Sequence, residues 1–253
     1  MNQAHTDTHL DTYTCKVCQT KGVAFQLAVY DGVEFFGCQN CGSITSTPLP
    51  TQEQRDSTLN ASHYSTKGGF PHNREKAHFI KHLNDLKAMS KGTRFLDVFC
   101  RNGYRCELAR MAGFKDMTGI DTNRFCIETA EKRFHKSSFL QETLETHAQS
   151  QQTYDVVSCY HALEQALDPD QYLADLAKLM TQDSFLYLSQ TDGNHFMLPN
   201  KLLRWKEIYY PERTHYMSKK GLESLLKRNG FKIVKRYFRF LPYQHIIAKR
   251  VNA

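Results

Sequence analysis

No apolar run in this chain of 253 residues approaches the roughly 20 residues that a membrane-spanning helix needs. The first fourteen residues are polar and lack the apolar stretch of a secretory leader, so no export signal is expected. Internal repeats are absent, and so is any excess of acid. Lys and Arg number 33 against 26 Asp and Glu, a formal charge of +7. Bases and acids are interspersed, which reads as a solvated basic surface and does not favour nucleic acid as a partner over a small molecule. A disulfide framework is not suggested either. Of eight cysteines, four form two C-x-x-C pairs and four are scattered among hydrophobic residues. That pattern points to a metal site in a reducing, cytoplasmic setting. The last scarcity is local: glycine is missing from a loop built to use it.

That loop lies in FLDVFCRNGY (95–104), followed by GIDTN (119–123). A hydrophobic strand, a tight turn, a helix and a second strand ending on an acid make the layout of a nucleotide-binding βαβ unit. There glycines let the backbone approach the ligand, and the acid accepts hydrogen bonds from ribose. Phe99 and Arg101 stand where small residues are expected, and only Gly103 remains.

Residues 1–14 read as a flexible arm. Residues 15–47 hold Cys15, Cys18, Cys38 and Cys41 as CKVC and CQNCG, with two short strands between them turning at Asp31-Gly32. Four thiolates suit a tetrahedral structural zinc, and so small a module depends on the metal to fold. A closed four-cysteine site has no open position for a substrate. Residues 48–71 read as a linker in which His63 and Tyr64 serve either as anchors or as a fold over a ligand site, and an amphipathic helix is expected over 74–90.

From residue 93 strands and helices alternate. Strands are expected at 94–99, 116–121, 137–140, 154–159, 184–189, 231–238 and 243–249, and helices at 103–112, 123–135, 169–181 and 218–229. Alternation implies a mostly parallel sheet covered on both faces. The short Leu241-Pro242 turn cannot hold a crossover helix, so the last strand must run antiparallel to its neighbour.

The ordered pieces FLDVFCRNG, GIDTN, YDVVSCYHALEQALDP (154–169), SFLYLSQTD (184–192) and HYMS…GF (215–231), behind the cysteine ribbon, resemble the class I S-adenosylmethionine-dependent methyltransferases. More narrowly, the chain looks like the bacterial branch with an N-terminal zinc ribbon, whose members often modify sugars or other small metabolites. The resemblance implies an α/β fold, a Rossmann-like seven-stranded sheet with an antiparallel last strand, spanning 72–253 beside the small ribbon. It implies S-adenosylmethionine as cofactor. Asp97 would order the loop around the methionine part, with Cys100 and Gly103 in that loop. Asp121 would accept both ribose hydroxyls, Thr143 and Leu144 would meet adenine, and Tyr160 would close the site. Arg101 is a candidate to grip the cofactor's carboxylate, and Phe99 a candidate to fill the pocket. The acidic–histidine pair after the fourth strand is here Glu164-Gln165, so a common pocket histidine is missing.

Methyl transfer to a hydroxyl is helped by a base near neutral pH, a role suited to histidine. His161, His195 and His215 lie in the right neighbourhood, and His161 comes first because it directly follows the fourth strand. KLLRWKEIYYPERTHY (201–216) interleaves bases with aromatics and reads either as a substrate cover or as a helix and loop packed on the sheet edge. The acceptor expected is small and polar, a sugar or nucleotide-sugar hydroxyl or amine. Two other readings remain: a catalytically silent member serving as an interaction module, and an RNA methyltransferase.

Overall fold

The computed structural model describes residues 9–59, 73–238 and 240–251. Its first part is an antiparallel meander of β1 (His9–Thr14), β2 (Lys21–Tyr30), β3 (Val33–Cys38) and β4 (Ile44–Thr47). The β2–β3 turn places Asp31 at φ 51° and Gly32 at φ 76°. This is the left-handed pair that an Asp-Gly hairpin favours. Residues 9–14, expected in a flexible arm, instead form a strand. The ten-residue β2 leaves one edge open beside β3, a polar strand can fill an edge, and Tyr13 packs its ring 6.4 Å from that of Phe36.

The expected linker also holds a helix, α1 (Gln52–Leu59). Its cause is a capping box that the turn-rich composition hides. Thr51 Oγ1 accepts from the Gln54 N–H at 3.2 Å, and Gln54 Oε1 accepts from the Thr51 N–H at 2.9 Å. The rest of the linker, with His63 and Tyr64, lies outside the described residues.

The second sheet has the order β11-β12-β9-β8-β5-β6-β7. Its strands are β5 (Arg94–Val98), β6 (Asp116–Asp121), β7 (Ser138–Gln141), β8 (Tyr154–Tyr160), β9 (Met180–Thr191), β11 (Phe231–Tyr237) and β12 (Tyr243–Arg250). Five run parallel from β7 to β9, and β12 runs antiparallel to both of its neighbours. That is the expected seven-stranded α/β sheet. The helices are α2 (Asn73–Met89), α3 (Tyr104–Met111), α4 (Arg124–Arg133), the single turn α5 (Leu144–His147), α6 (Pro169–Lys178) and α7 (Lys219–Arg228). Side-chain caps start them where polar residues precede apolar runs. Asn123 accepts from the Cys126 N–H, Asp168 from those of Asp170 and Gln171, and Ser218 from that of Gly221. Strand alternation sends Leu96, Val157, Leu186 and Leu188 to one core, with α6 and α7, and Phe95, Val156, Phe185 and Tyr187 to the other, with α2 and α3. No described helix is long and apolar enough to cross a membrane.

A two-residue strand, β10 (His215–Tyr216), joins the parts. It pairs antiparallel with β4, His215 opposite Thr45 and Tyr216 opposite Ile44, and so completes a five-stranded sheet. Next to it Ser218 donates its N–H to Ser43 Oγ at 3.0 Å. A Cβ on Gly221 would sit 2.1 Å from Ser43 Oγ, so any side chain there forces Ser43 or α7 to shift. Arg228 donates to the Val17 carbonyl at 2.6 Å and pairs with Asp170 at 2.7 Å. The boundaries expected at residues 47 and 72 therefore separate segments of chain that are stitched through one shared sheet.

Candidate functional site

The loop after β5 keeps a glycine-type backbone without the glycines. Phe99 has φ 62°, Arg101 φ 52° and Gly103 φ 76°. Each side-chain-bearing residue in that region costs about 1–2 kcal/mol, so the surroundings must impose the shape. Arg105 donates from Nε to both Asp97 oxygens, at 3.0 and 3.2 Å, and from Nη2 to the Phe99 carbonyl at 2.6 Å. Arg101 N–H donates to Asp121 Oδ2 at 2.8 Å, and Cys100 N–H to the Ile120 carbonyl at 2.9 Å. The Arg101 guanidinium lies 4.9 Å above the Phe99 ring. Gly103 has no alternative: a Cβ there would meet the Phe139 ring at 2.6 Å.

Beside this loop, at the carboxyl ends of β5, β6 and β8, opens a cavity of about 310 Å³. Its walls include Phe99, Asp121, Thr143, Leu144, Gln165 and Tyr172. Volume and place suit a nucleoside-bearing ligand at the edge where open α/β sheets bind them. Asp121 is almost fully buried, and burial pushes its carboxyl above the usual range. Oδ1 accepts from the Asn123 N–H at 2.9 Å and Oδ2 from that of Arg101, which leaves each oxygen a further lone pair for a ribose hydroxyl. The Thr143 hydroxyl caps α5 by accepting from the Thr146 N–H at 3.1 Å. Asp121, Glu142, Glu145, Asp168 and Asp175 line the cavity, and no lysine or arginine is among its lining residues. Such a wall disfavours phosphate groups.

The other residues expected at the cofactor do not line this cavity. Asp97 is fully buried and acts on the loop through Arg105. Cys100 is packed against the position of Gly119, and burial pushes its thiol well above the usual range. Tyr160 lies under the Arg105 guanidinium at 4.9 Å and against the His161 ring at 4.8 Å.

His161 follows β8 with φ 55°. Its Nδ1 is 2.7 Å from Glu164 Oε1. Glu164 is fully buried; Oε1 also accepts from Arg213 Nε at 2.8 Å, and Oε2 from the Thr191 N–H at 2.7 Å. Burial alone would raise its carboxyl, but Arg213 and His161 outweigh burial and hold it down to about 2. An ionised carboxylate can only accept, so Nδ1 carries the proton and Nε2 of the neutral ring is left as an acceptor. Burial keeps the ring below the usual histidine range against the pull of Glu164. Glu164 and Arg213 were missed from the sequence as functional residues. The His-x-x-Glu spacing within one turn was the available sign of the first, whereas nothing local marked the second.

The other two histidines lie elsewhere. His195 accepts the Met197 N–H on Nδ1 at 3.2 Å and lines a smaller pocket with Lys219 and His245. His215 is buried in β10, its Nδ1 3.3 Å from Thr45 Oγ1, and burial brings it to about 4. It belongs to the seam with the ribbon.

The four ribbon cysteines converge, with all Sγ atoms within 4.8 Å of one another. The pairs Cys15–Cys41 and Cys18–Cys38 are both at 3.8 Å. A tetrahedron with metal–sulfur bonds of about 2.3 Å has sulfurs about 3.8 Å apart, so the cluster fits a four-thiolate metal site. N–H groups of Cys18 and Ser43 already point at Cys15 and Cys41 sulfurs, at 3.5 and 3.4 Å. The hydrogen bond from Cys15, followed by those from Ser43, pulls Cys41 down to about 5.

A family profile described as "Methyltransferase domain" matches residues 70–236. Among curated proteins the chain is similar to the ubiquinone biosynthesis O-methyltransferase of Vibrio cholerae serotype O1, 34% identical over 110 residues, 41% of this chain and 44% of that protein. The Proteus mirabilis protein of the same name is 28% identical over 147 residues, 45% and 59% of the two chains. The chain thus spans about half the length of the curated relatives it matches, or less. Among solved structures, magnesium protoporphyrin IX methyltransferase (ChlM) from Synechocystis PCC 6803 with bound SAH superposes at TM-score 0.57 and 18% identity, over 77% of this chain and 100% of that one. The [4+2]-cyclase SpnF superposes at 0.62 and 14% identity, over 81% and 99%. Likeness at such identities shows the fold alone.

Proposed function

The chain belongs to the methyltransferase-domain family, and on that premise we propose that it methylates a hydroxyl of a small polar acceptor, of which a sugar or nucleotide-sugar is one class. An amine nitrogen is the alternative acceptor atom. The observation that carries oxygen as the target is the His161–Glu164 pair, a neutral imidazole with its tautomer fixed by a buried carboxylate. The relatives named O-methyltransferases support the same atom.

S-adenosylmethionine, when bound, supplies a methyl group on a positively charged sulfur. The residues present fit it. Asp121 would hold the ribose hydroxyls, Thr143 and Leu144 would flank the base, and the acidic wall would favour a ligand without phosphates. Asp97 and Gly103 serve by fixing the loop. His161 Nε2 would accept the proton released by the acceptor hydroxyl, and Glu164 would stabilise the charged ring. We assign Cys15, Cys18, Cys38 and Cys41 to a structural zinc; four thiolates close the tetrahedron and leave no position for substrate.

The test is calorimetric titration of zinc-loaded protein with S-adenosylmethionine and its demethylated product. Labelled methyl transfer to a panel of sugar nucleotides and phenols follows, for the wild type and His161→Gln. Micromolar binding with turnover lost in the variant is expected. A folded protein that binds neither compound would instead be a silent member of the family.

A further inference from the structure

We propose that Arg213 is a positioning residue for His161, held in place by the cysteine ribbon. The inference rests on His161 being the base and adds what sets its proton affinity. Arg213 touches Glu164 directly, Nε to Oε1 at 2.8 Å, while His161 Nδ1 approaches the same oxygen at 2.7 Å. One carboxylate oxygen is thus shared between a permanent cation and the imidazole. Sharing weakens the hold of Glu164 on a protonated ring, and the guanidinium itself repels that ring.

Arg213 is not free to drift. Nη1 donates to Thr191 Oγ1 at 2.9 Å and Glu207 Oε2 at 3.0 Å, and the guanidinium lies 4.7 Å above the Tyr209 ring. The next residue, Thr214, donates its N–H to the Glu164 carbonyl at 3.0 Å and accepts from the Ser46 N–H of β4 at 3.0 Å. Four residues on, Ser218 donates its N–H to Ser43 Oγ at 3.0 Å and its hydroxyl to the Cys41 carbonyl at the second cysteine knuckle. One extended stretch, 213–218, therefore grips the catalytic pair at one end and the knuckle at the other.

The groups facing His161 are Glu164 on its own turn, Arg213 before β10, Arg101 from the loop after β5, Tyr160 at the end of β8 and Tyr243 at the start of β12. Arg105 from α3 stands behind Tyr160, and Glu207 stands behind Arg213. Of these groups, His161 and Arg213 both contact the shared oxygen, Glu164 Oε1.

The experiment is an NMR pH titration of the histidine ring signals in the zinc-loaded full chain without cofactor or acceptor. The His161 signal is assigned by its loss in His161→Gln. In Arg213→Gln the His161 midpoint should rise by about one pH unit, tenfold in proton affinity. Arg213→Lys, which keeps the charge but not the fork, should move it less. Gly221→Ala, which drives α7 off Ser43, should move it the same way. An unchanged midpoint in a folded Arg213→Gln protein overturns the proposal. The readout needs no turnover, so it stands apart from failure of cofactor binding or methyl transfer.

Discussion

Asp121 Oδ2 accepts the backbone N–H of Arg101 at 2.8 Å, so the acid at the end of β6 and the loop after β5 are one unit. The carboxylate both shapes the loop and faces the cavity. Asp121→Ala should weaken S-adenosylmethionine binding by about 100- to 10,000-fold, the loss of two charge-assisted hydrogen bonds of about 1.5–3 kcal/mol each. Asp121→Asn keeps one acceptor oxygen and should fall between. Calorimetry decides, and equal affinity in all three proteins would remove Asp121 from the site.

Phe99 forms a wall of the cavity while residues deeper in the loop do not reach it. Phe99→Gly relieves a left-handed conformation but gives the unfolded chain more freedom, two effects of about 1 kcal/mol that oppose each other. Stability should fall by about 1–3 kcal/mol, because the half-buried ring also gives up its packing on the core and its contact with Arg101. Binding should change selectively, with S-adenosylmethionine gaining several-fold over adenosine as the wall opens toward the loop. Parallel titrations of the two ligands would show an equal change if Phe99 merely lines the nucleoside end.

Glu164 is held at about 2 in the folded protein and returns to the ordinary carboxylate range when unfolded. The unfolded state therefore binds more protons between about 4.5 and 2. The stabilisation is complete above that window and is lost as pH falls through it. Glu164→Gln should be destabilised by about 3 kcal/mol at pH 7, since the buried Arg213 keeps, among the described residues, Glu207 as its one acidic partner. The gap to wild type should shrink below pH 4.5 in urea unfolding; a gap independent of pH would refute the ion pair's role.

Cys38→Ser removes one of four converging thiols. Zinc content should fall, and thermal unfolding should shift as a single transition, because β10 of the main part completes the ribbon's sheet. Two separated transitions, with the later one at the wild-type temperature, would show the ribbon to be an independent module.

What could be read from the sequence was what neighbours in sequence decide. The paired C-x-x-C spacing, the Asp-Gly turn and the helix that opens at Ser218 are local, and each lies where the pattern put it. The mostly parallel sheet and the antiparallel last pair follow from alternation and one short turn, whereas the strand order is set by contacts distant in sequence. His161 was legible for its position, but Glu164 looked like a departure from a familiar pair because its partner Arg213 is 49 residues away, beyond any local pattern. For the same reason β10 was missed: two residues have no period, and only β4, about 170 residues earlier, makes them a strand. The left-handed Phe99 and Arg101 show the converse, tertiary contacts holding a backbone that the residues disfavour.

The pairing of β4 with β10 also orders events during synthesis. The two cysteine knuckles emerge early and within seconds of each other, at about 5–20 residues per second. Yet the outer edge of β4 has no neighbour until residue 216 has been made. Through most of translation the nascent ribbon exposes a row of unpaired backbone groups, the kind of edge that recruits other strands. The last quarter of the chain then closes that edge and, through Thr214, the Glu164 turn as well. A chain truncated before residue 213 therefore leaves the β4 edge unpaired and lacks the cation that meets Glu164.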